Sequence, residues 1–355
     1  MALCYNSVRT RRSARASPKT ETKPGRPGIS KILLANTGFV NHLLEVFSNF
    51  PHSSFFGPDP PSEPPVWKGS VAMPLSAPFY VIGHPLGHSM SPFIHTRLFA
   101  AQGREESYTA RDIPPETLDT ALPALLKETG GINVTIPYKQ AVIPFLDGLC
   151  GRAELYRSVN TIGVTDKGIF GHNTDAEGFL AALEGGGVRL AGRVALLGCG
   201  GVGRTFACEA ALAGCTVVNA VRESDLPQGE ELQRYVRQLV PAAETALTTL
   251  DRLEGDFDLL INATPVGMYP HAGAMPVEKP VLSRVAAVFD AVYNPGETAL
   301  LECTRANGAK TVGGMPMLVW QAAIAHRIWY QAEFAPDAIA ALIGDAQREM
   351  ARRFG

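Results

Sequence analysis

Residues 194–203 carry a short apolar run directly into a turn rich in glycine, Val-Ala-Leu-Leu-Gly-Cys-Gly-Gly-Val-Gly. A helix is expected at 204–213 and a second strand at 216–221. Glycines let a backbone approach a pyrophosphate closely, and a helix N-terminus offers unpaired N–H groups. The order strand, turn, helix and strand predicts a dinucleotide-binding unit. A ligand-free flavodoxin-like turn is the alternative.

From Phe79 onward, β-rich runs alternate with helical segments, which is typical of a parallel α/β sheet. The predicted strands are 79–82, 108–110, 132–136, the pair 159–164 and 168–171, then 194–197, 216–221, 259–262 and 288–290. The predicted helices are 91–102, 115–127, one opened by Pro137, one from Asp175, then 204–213, 229–239, 316–330 and 336–352.

Composition argues against a disordered, a nucleic-acid-binding, a membrane-spanning or a metal-binding protein. A chain of 355 residues that is 46% hydrophobic and 19% charged is not largely disordered. A net charge of −2 gives no basic field for nucleic acid, and no apolar run is long enough for a membrane-spanning helix. The six cysteines form no CxxC pair and no zinc-type spacing, so we expect no metal and a cytoplasmic location.

The N-terminal residues differ from the rest of the chain. Eight Lys or Arg stand against one acid between Met1 and Lys31, and six prolines follow between 51 and 65. We expect residues 1–72 to be a disordered or non-native extension, with Met73 as a candidate start. A transit peptide is the alternative, and only that alternative would make the protein organellar.

Polar motifs follow the predicted strands of the first half, at the strand ends where open α/β sheets bind ligands. These motifs and those that follow later in the chain are Ser89 and Ser91, GINVTIPYK at 131–139, VNT at 159–161, NTD at 173–175, GCGG at 198–201, NATPVGM at 262–268, DAVYNP at 290–295 and GMPMLVWQ at 314–321. In this order, over about residues 79–330, they resemble the shikimate dehydrogenase family.

The resemblance implies an α/β fold with two domains. These are an N-terminal α/β substrate-binding domain at 75–175 and a Rossmann-type dinucleotide-binding domain at 176–314. The C-terminal helices at 315–355 are expected to return to the first domain. The implied activity is the reversible, NADPH-dependent reduction of 3-dehydroshikimate to shikimate in chorismate and aromatic amino-acid biosynthesis.

The resemblance makes Lys139 and Asp175 the catalytic pair that flanks the reacting oxygen. Without it, Lys139 would be a surface charge that starts a helix, and Asp175 an N-cap. It implies that Ser89 and Ser91 bind the substrate carboxylate, although a Ser-x-Ser before proline is by itself a helix-cap signal. The other implied substrate residues, besides Lys139 and Asp175, are Thr135, Asn160, Tyr293 and Gln321.

The implied cofactor is NADP. Arg222, at the end of the second strand of the dinucleotide unit, can pair with a 2′-phosphate, whereas Glu223 replaces the usual threonine and would suit NAD. The other implied cofactor residues are Gly198, Cys199, Gly200, Gly201, Val202, Ala291 and Gly314. His172 stands where an acid is common and is expected to be a solvated loop residue.

Other functions are compatible with the same motifs. The first is a quinate/shikimate dehydrogenase that uses NAD, although the presence of both Ser89 and Ser91 favours shikimate. The second is an inactive NAD(P)-sensing protein, and the third is another two-domain dehydrogenase, such as one that acts on folate. The expected partner is a small-molecule substrate, with no nucleic acid and no membrane, and the chain is expected to be a monomer or homodimer.

Overall fold

The computed structural model describes residues 77–87 and 89–354. The predictions for residues 1–72 and for Met73 lie outside this range. Within it, no helix combines the length and apolar character needed to cross a membrane. The described residues form two six-stranded sheets with helices packed on them.

The first sheet has the order β2-β1-β3-β5-β6-β4. Strands β3 and β6 both pair antiparallel with β5, so this sheet is mixed rather than wholly parallel. The reason is local, because only two residues separate β5 from β6 and so short a link can join only antiparallel strands. Its elements are β1 Phe79–Gly83, α1 Ser91–Ala101, β2 Tyr108–Asp112, α2 Leu118–Leu126, β3 Gly131–Val134, β4 Gly148–Leu149, α3 Arg152–Tyr156, β5 Thr161–Thr165 and β6 Gly168–His172.

The second sheet is parallel throughout, with the order β12-β11-β10-β7-β8-β9. This is the doubly wound Rossmann order, so the predicted architecture is confirmed. The strand order reverses between β7 and β10, and ligands bind at the carboxyl ends of strands at such a point. The elements are α4 Asp175–Gly185, β7 Arg193–Leu197, α5 Gly201–Leu212, β8 Thr216–Val221, α6 Leu226–Leu239, β9 Thr245–Thr249, β10 Leu259–Asn262, α7 Lys279–Leu282, β11 Ala287–Asp290, α8 Ala299–Ala306 and β12 Lys310–Val312.

The last two helices, α9 Gly314–Tyr330 and α10 Pro336–Phe354, return to the first sheet as expected. Their buried faces share one apolar cluster with Ile94 and Leu98 of α1. Helix α9 also packs closely on α4 at Gly178, where a Cβ would lie 2.8 Å from the Met317 carbonyl oxygen. On its other side, α4 places Phe179 in the core of the second sheet.

Three predicted helix starts are wrong. Pro137 begins no α-helix, because turns follow it and end in the 3₁₀ turn Ile143–Phe145. Tertiary hydrogen bonds hold this segment instead, from the Tyr138 hydroxyl to the Ile113 carbonyl and from the Val159 N–H to the Lys139 carbonyl. The helix after the glycine turn begins at Gly201 rather than at 204, and α6 begins at Leu226 rather than at 229.

Candidate active site

Lys139 and Asp175 form an ion pair in which Nζ lies 2.5 Å from Oδ2. The side chains are 13% and 8% exposed, so Lys139 is not a surface charge. Asp175 is not the N-cap either: it is the first residue of α4, Thr174 holds the cap position, and the Asn173 side chain accepts from the Asp175 N–H. The Asp175 carboxylate is therefore free to face Lys139.

A mostly buried ion pair needs further hydrogen bonds to offset its loss of hydration. Asn160 provides one, because its Nδ2 donates to Asp175 Oδ1 at 3.0 Å. The same amide lies 3.1 Å from Gln321 Oε1 and 3.0 Å from Thr174 Oγ1. Lys139, Asp175, Asn160 and Gln321, which come from separate parts of the sequence, thus belong to one hydrogen-bonded network.

A second layer of buried polar residues supports this network, and the sequence reasoning assigned it no role. Thr161 Oγ1 accepts from Asn133 Nδ2 at 3.0 Å and donates to Asn160 Oδ1 at 3.2 Å. The Tyr108 hydroxyl donates to Asn133 Oδ1 at 2.7 Å. The sequence does indicate such a layer, because an Asn or Thr inside a predicted apolar strand is expected to be buried and then requires hydrogen-bond partners.

The predicted carboxylate-binding residues form a separate group. Ser91 begins α1, and its N–H donates to Ser89 Oγ at 3.3 Å. Tyr293 reaches this loop through a hydrogen bond with the Met90 backbone, which lowers its pKa, but burial outweighs this and raises the pKa overall. Among the described residues, no hydrogen bond joins the two serines or Tyr293 to the Lys139–Asp175 pair.

Thr135 lies between the serine loop and the Lys139 turn. Its N–H donates to the Ile82 carbonyl at 2.9 Å. Its methyl group covers Gly83, where a Cβ would come within 2.5 Å of Thr135 Cγ2. Any side chain at Gly83 would therefore displace Thr135.

The loop that carries the serines is held at its start by Asp112, at the end of β2. One carboxylate oxygen lies 2.6 Å from His84 Nδ1, and the other accepts from the Leu86 N–H at 2.9 Å. These two contacts hold the pKa of Asp112 below its usual value, with the His84 hydrogen bond as the larger cause.

The glycine turn fits a pyrophosphate group. Gly198 has φ +95°, a conformation that favours glycine, and a Cβ at Gly200 would meet no atom within 4 Å. The open space at Gly200 forms a cradle at the N-terminus of α5, and Cys199 and Val202 beside it are half-buried. A Cβ at Gly201 would lie 3.6 Å from Lys139 Cδ, so the cradle adjoins the ion pair.

Ala291 and Gly314 also come together at this edge of the second sheet. A Cβ at Gly314 would lie 2.4 Å from the Ala291 carbonyl oxygen, so only glycine fits there. The Ala291 N–H donates to the Asn262 carbonyl at 3.0 Å. Buried Asp290 fixes the segment by accepting from the Asn262 amide and the Val292 N–H.

Arg222 and Glu223 are exposed just after β8. Arg222 forms a two-point ion pair with Asp225, with distances of 2.7 and 3.2 Å.

The prediction for His172 is wrong. It is the half-buried last residue of β6, and burial lowers its pKa to about 4. In the described part of the chain, no group of three or more His, Cys, Asp or Glu could hold a metal ion.

A family model described as the shikimate dehydrogenase substrate binding domain matches residues 81–162. A curated relative from Symbiobacterium thermophilum, named shikimate dehydrogenase (NADP(+)), is 40% identical over 262 residues. The match covers 70% of this chain and 87% of that relative. The chain belongs to the shikimate dehydrogenase family. The resemblance found in the motifs is therefore confirmed, and the chain is an oxidoreductase.

Solved structures of this family agree with the fold. Shikimate 5-dehydrogenase from Thermus thermophilus, in complex with NADP(H) and shikimate, matches with a TM-score of 0.66 and 34% identity. The match covers 76% of this chain and 98% of that one. Quinate dehydrogenase from Corynebacterium glutamicum, in complex with NAD, matches with a TM-score of 0.66, 30% identity and the same coverage.

Proposed function

We propose that this chain is a shikimate dehydrogenase that interconverts shikimate and 3-dehydroshikimate with NADP. The observation that carries the proposal is the Lys139–Asp175 ion pair, buried beside the glycine turn of a Rossmann sheet. A relative at 40% identity that is named shikimate dehydrogenase (NADP(+)) supports both the substrate and the cofactor.

The substrate would be held by hydroxyl and amide groups around the ion pair. Ser89 and Ser91 would bind its carboxylate at the start of α1, with the Tyr293 hydroxyl beside them. Thr135, Asn160 and Gln321 would bind the ring hydroxyls or the carboxylate. Because buried polar groups are costly to leave unpaired, such a site rejects substrate analogues that lack a hydroxyl.

The cofactor would lie at the reversal point of the second sheet. Gly198, Cys199, Gly200, Gly201 and Val202 would hold the pyrophosphate, and Arg222 the 2′-phosphate. The nicotinamide end would lie against the Ala291 backbone and Gly314. When bound there, the reduced nicotinamide supplies a hydride to the substrate carbonyl carbon.

Lys139 would act on the carbonyl oxygen. Its ammonium group donates a hydrogen bond to that oxygen, which polarises the carbonyl, and then transfers a proton to it. Asp175 keeps Nζ in place, while Asn160 holds the other carboxylate oxygen. In the reverse direction, neutral Lys139 accepts the hydroxyl proton of shikimate.

The test is the absorbance of reduced nicotinamide when purified protein receives shikimate with NADP or NAD, and then quinate with each. We expect fast reduction of NADP by shikimate and slow reaction with quinate. Protein that is folded and binds nucleotide but is inactive with every pair would contradict the proposal and favour a sensing protein.

A quinate/shikimate dehydrogenase that uses NAD is the second candidate. The exposed Glu223 beside Arg222 favours it, because a carboxylate repels a 2′-phosphate and can accept hydrogen bonds from a ribose. Comparable rates with quinate, together with a preference for NAD, would select this candidate.

A further inference from the structure

The loop after β8 lies beside the glycine turn. The Gly198 N–H donates to the Ala220 carbonyl at 2.9 Å, and the Asn219 amide donates to the Gly198 carbonyl at 2.9 Å. Burial raises the pKa of the Cys199 thiol, Asp225 raises it further, and Arg222 lowers it. The side chains of Arg222 and Asp225 are therefore within electrostatic reach of the cofactor turn.

Within this loop, Arg222 is already bound. Its Nε lies 2.7 Å from Asp225 Oδ2, and its Nη2 lies 3.2 Å from Oδ1. The Asp225 N–H also donates to the Arg222 carbonyl, and this turn brings the two side chains face to face. A guanidinium binds a phosphate through the same forked set of donors, so carboxylate and phosphate compete for it.

Asp225 also stands at the position before α6, where a carboxylate is stabilised by the helix dipole. A phosphate would be attracted to the same place for the same reason. The loop holds one positive side chain, Arg222, and two negative ones, Glu223 and Asp225. A 2′-phosphate carries a charge of about −1.5 to −2 and would meet an unfavourable balance of charge here.

The pair can nevertheless be broken. The Arg222 side chain is 74% exposed and that of Asp225 is 25% exposed, and exposed ion pairs are weak. Arg222 can therefore turn toward a phosphate, but Asp225 then stays close by with its charge uncompensated. Asp225 should weaken binding of the 2′-phosphate without excluding it.

We propose that Asp225 determines cofactor selectivity in this chain by competing with the 2′-phosphate of NADP for Arg222. The proposal rests on the proposed function, because it requires a dinucleotide in the glycine turn. On this proposal, two carboxylates weaken the preference for NADP: Asp225, which pairs with Arg222, and Glu223. It also makes the preference sensitive to salt, since the charges are near the surface.

The test is calorimetric titration of the purified chain with 2′,5′-ADP and with 5′-AMP, which differ only in the 2′-phosphate. Asp225→Asn should tighten 2′,5′-ADP binding by about three- to fivefold at low salt and leave 5′-AMP binding unchanged. The gain should shrink at about 0.3 M salt. Asp225→Ser, which also suits a helix start, should behave like Asp225→Asn.

Two further variants control the experiment. Asp345→Asn removes a carboxylate that pairs with Arg348 at the same i, i+3 spacing on α10 and should change neither affinity. Glu223→Thr should also tighten 2′,5′-ADP binding, and its effect should add to that of Asp225→Asn.

The outcomes separate this proposal from the proposed function. If Asp225→Asn and Asp225→Ser bind both nucleotides with the wild-type ratio, Asp225 has no role in selectivity while the cofactor site stands. If neither nucleotide binds to any variant, the cofactor site itself is wrong and both proposals fall. A 2′,5′-ADP gain confined to the Asp225 and Glu223 variants supports the proposal.

Discussion

Lys139 is the side chain on which the proposed chemistry depends most directly. Its Nζ is fixed by Asp175, and its alkyl chain lies beside the glycine turn, so one residue touches both halves of the proposed site. Lys127, which follows the last residue of α2, is by contrast an exposed lysine. The two lysines therefore allow the effect of the site to be separated from the effect of losing a positive charge.

We expect Lys139→Ala to lower turnover by about two to four decades, because general acid–base assistance contributes about 10²–10⁴-fold. The substrate KM should change much less. The measurement is steady-state reduction of NADP by shikimate, with 2′,5′-ADP binding as the check that the variant is folded. Lys127→Ala is the matched control and should be fully active. A Lys139→Ala enzyme with near-normal turnover would remove Lys139 from the mechanism.

The loop between β1 and α1 presents the two serines, and its first half depends on one side chain from another strand. Asp112 binds both the His84 ring and the Leu86 N–H. Its side chain is 47% exposed, and surface ion pairs contribute little to the free energy of unfolding. The contact should therefore position the loop rather than stabilise the fold.

We expect Asp112→Ala to raise the KM for shikimate by about three- to tenfold, with kcat, the KM for NADP and the melting temperature nearly unchanged. Asp112→Asn keeps an acceptor for the Leu86 N–H and should recover part of the loss. Asp147→Ala is the control, because Asp147 similarly accepts a hydrogen bond from the N–H of Ile169 in β6. A fall in melting temperature with no change in KM would indicate a purely structural contact.

Helices α1 and α9 are joined by two buried histidines. His95 Nδ1 lies 3.0 Å from His326 Nε2, and the Gln102 amide donates to His326 Nδ1 at 2.6 Å. Burial, helped by the charge of Arg104, lowers the pKa of His326 to about 3. Burial and the neighbouring His326 lower the pKa of His95 well below its usual value.

Because these pKa values lie below the unfolded value of about 6.5, the unfolded chain binds protons that the folded chain does not. The free energy of unfolding should therefore fall as the pH drops below about 6.5, and His326, with a folded pKa of about 3, should account for about 2 kcal/mol of that fall at pH 5. Urea unfolding at pH 7 and pH 5 measures this loss, and His326→Gln should reduce it by about 2 kcal/mol. An equal loss in wild type and variant would assign the effect to other groups.

The sequence predicts the long or strongly patterned elements best, such as β7, β8 and α9. It misses the short edge strands β4 and β12, and also β9, whose sequence Thr-Ala-Leu-Thr-Thr lacks an apolar pattern. Such strands form because a neighbouring strand offers hydrogen-bonding groups, which local sequence does not encode. Asn160 and Gln321, which the family motifs predict as substrate residues, do form a hydrogen bond with each other. Their shared contact with Thr174 depends on tertiary packing, which the motifs do not encode.

At the scale of the whole molecule, the two sheets share an ion network as well as the proposed site. Arg152 of α3 binds Glu209 of α5 at 2.5 Å and lies 3.5 Å from Glu177 of α4. Removing one member of a buried ion network leaves the others uncompensated, so these contacts favour the packed arrangement of α3, α4 and α5. We propose that residues 75–175 and 176–314 form two domains that meet at this network.

Ligands that contact both sheets should draw them together, because a closed state gains contacts with substrate and cofactor that an open state lacks. Closure would also expel water and strengthen the interaction between Lys139 and Asp175. We expect the radius of gyration from small-angle scattering to fall when NADPH and shikimate, a pair that cannot react, bind together. NADPH alone should have a smaller effect, since it contacts mainly the second sheet. Superimposable curves with and without both ligands would contradict the expected closure.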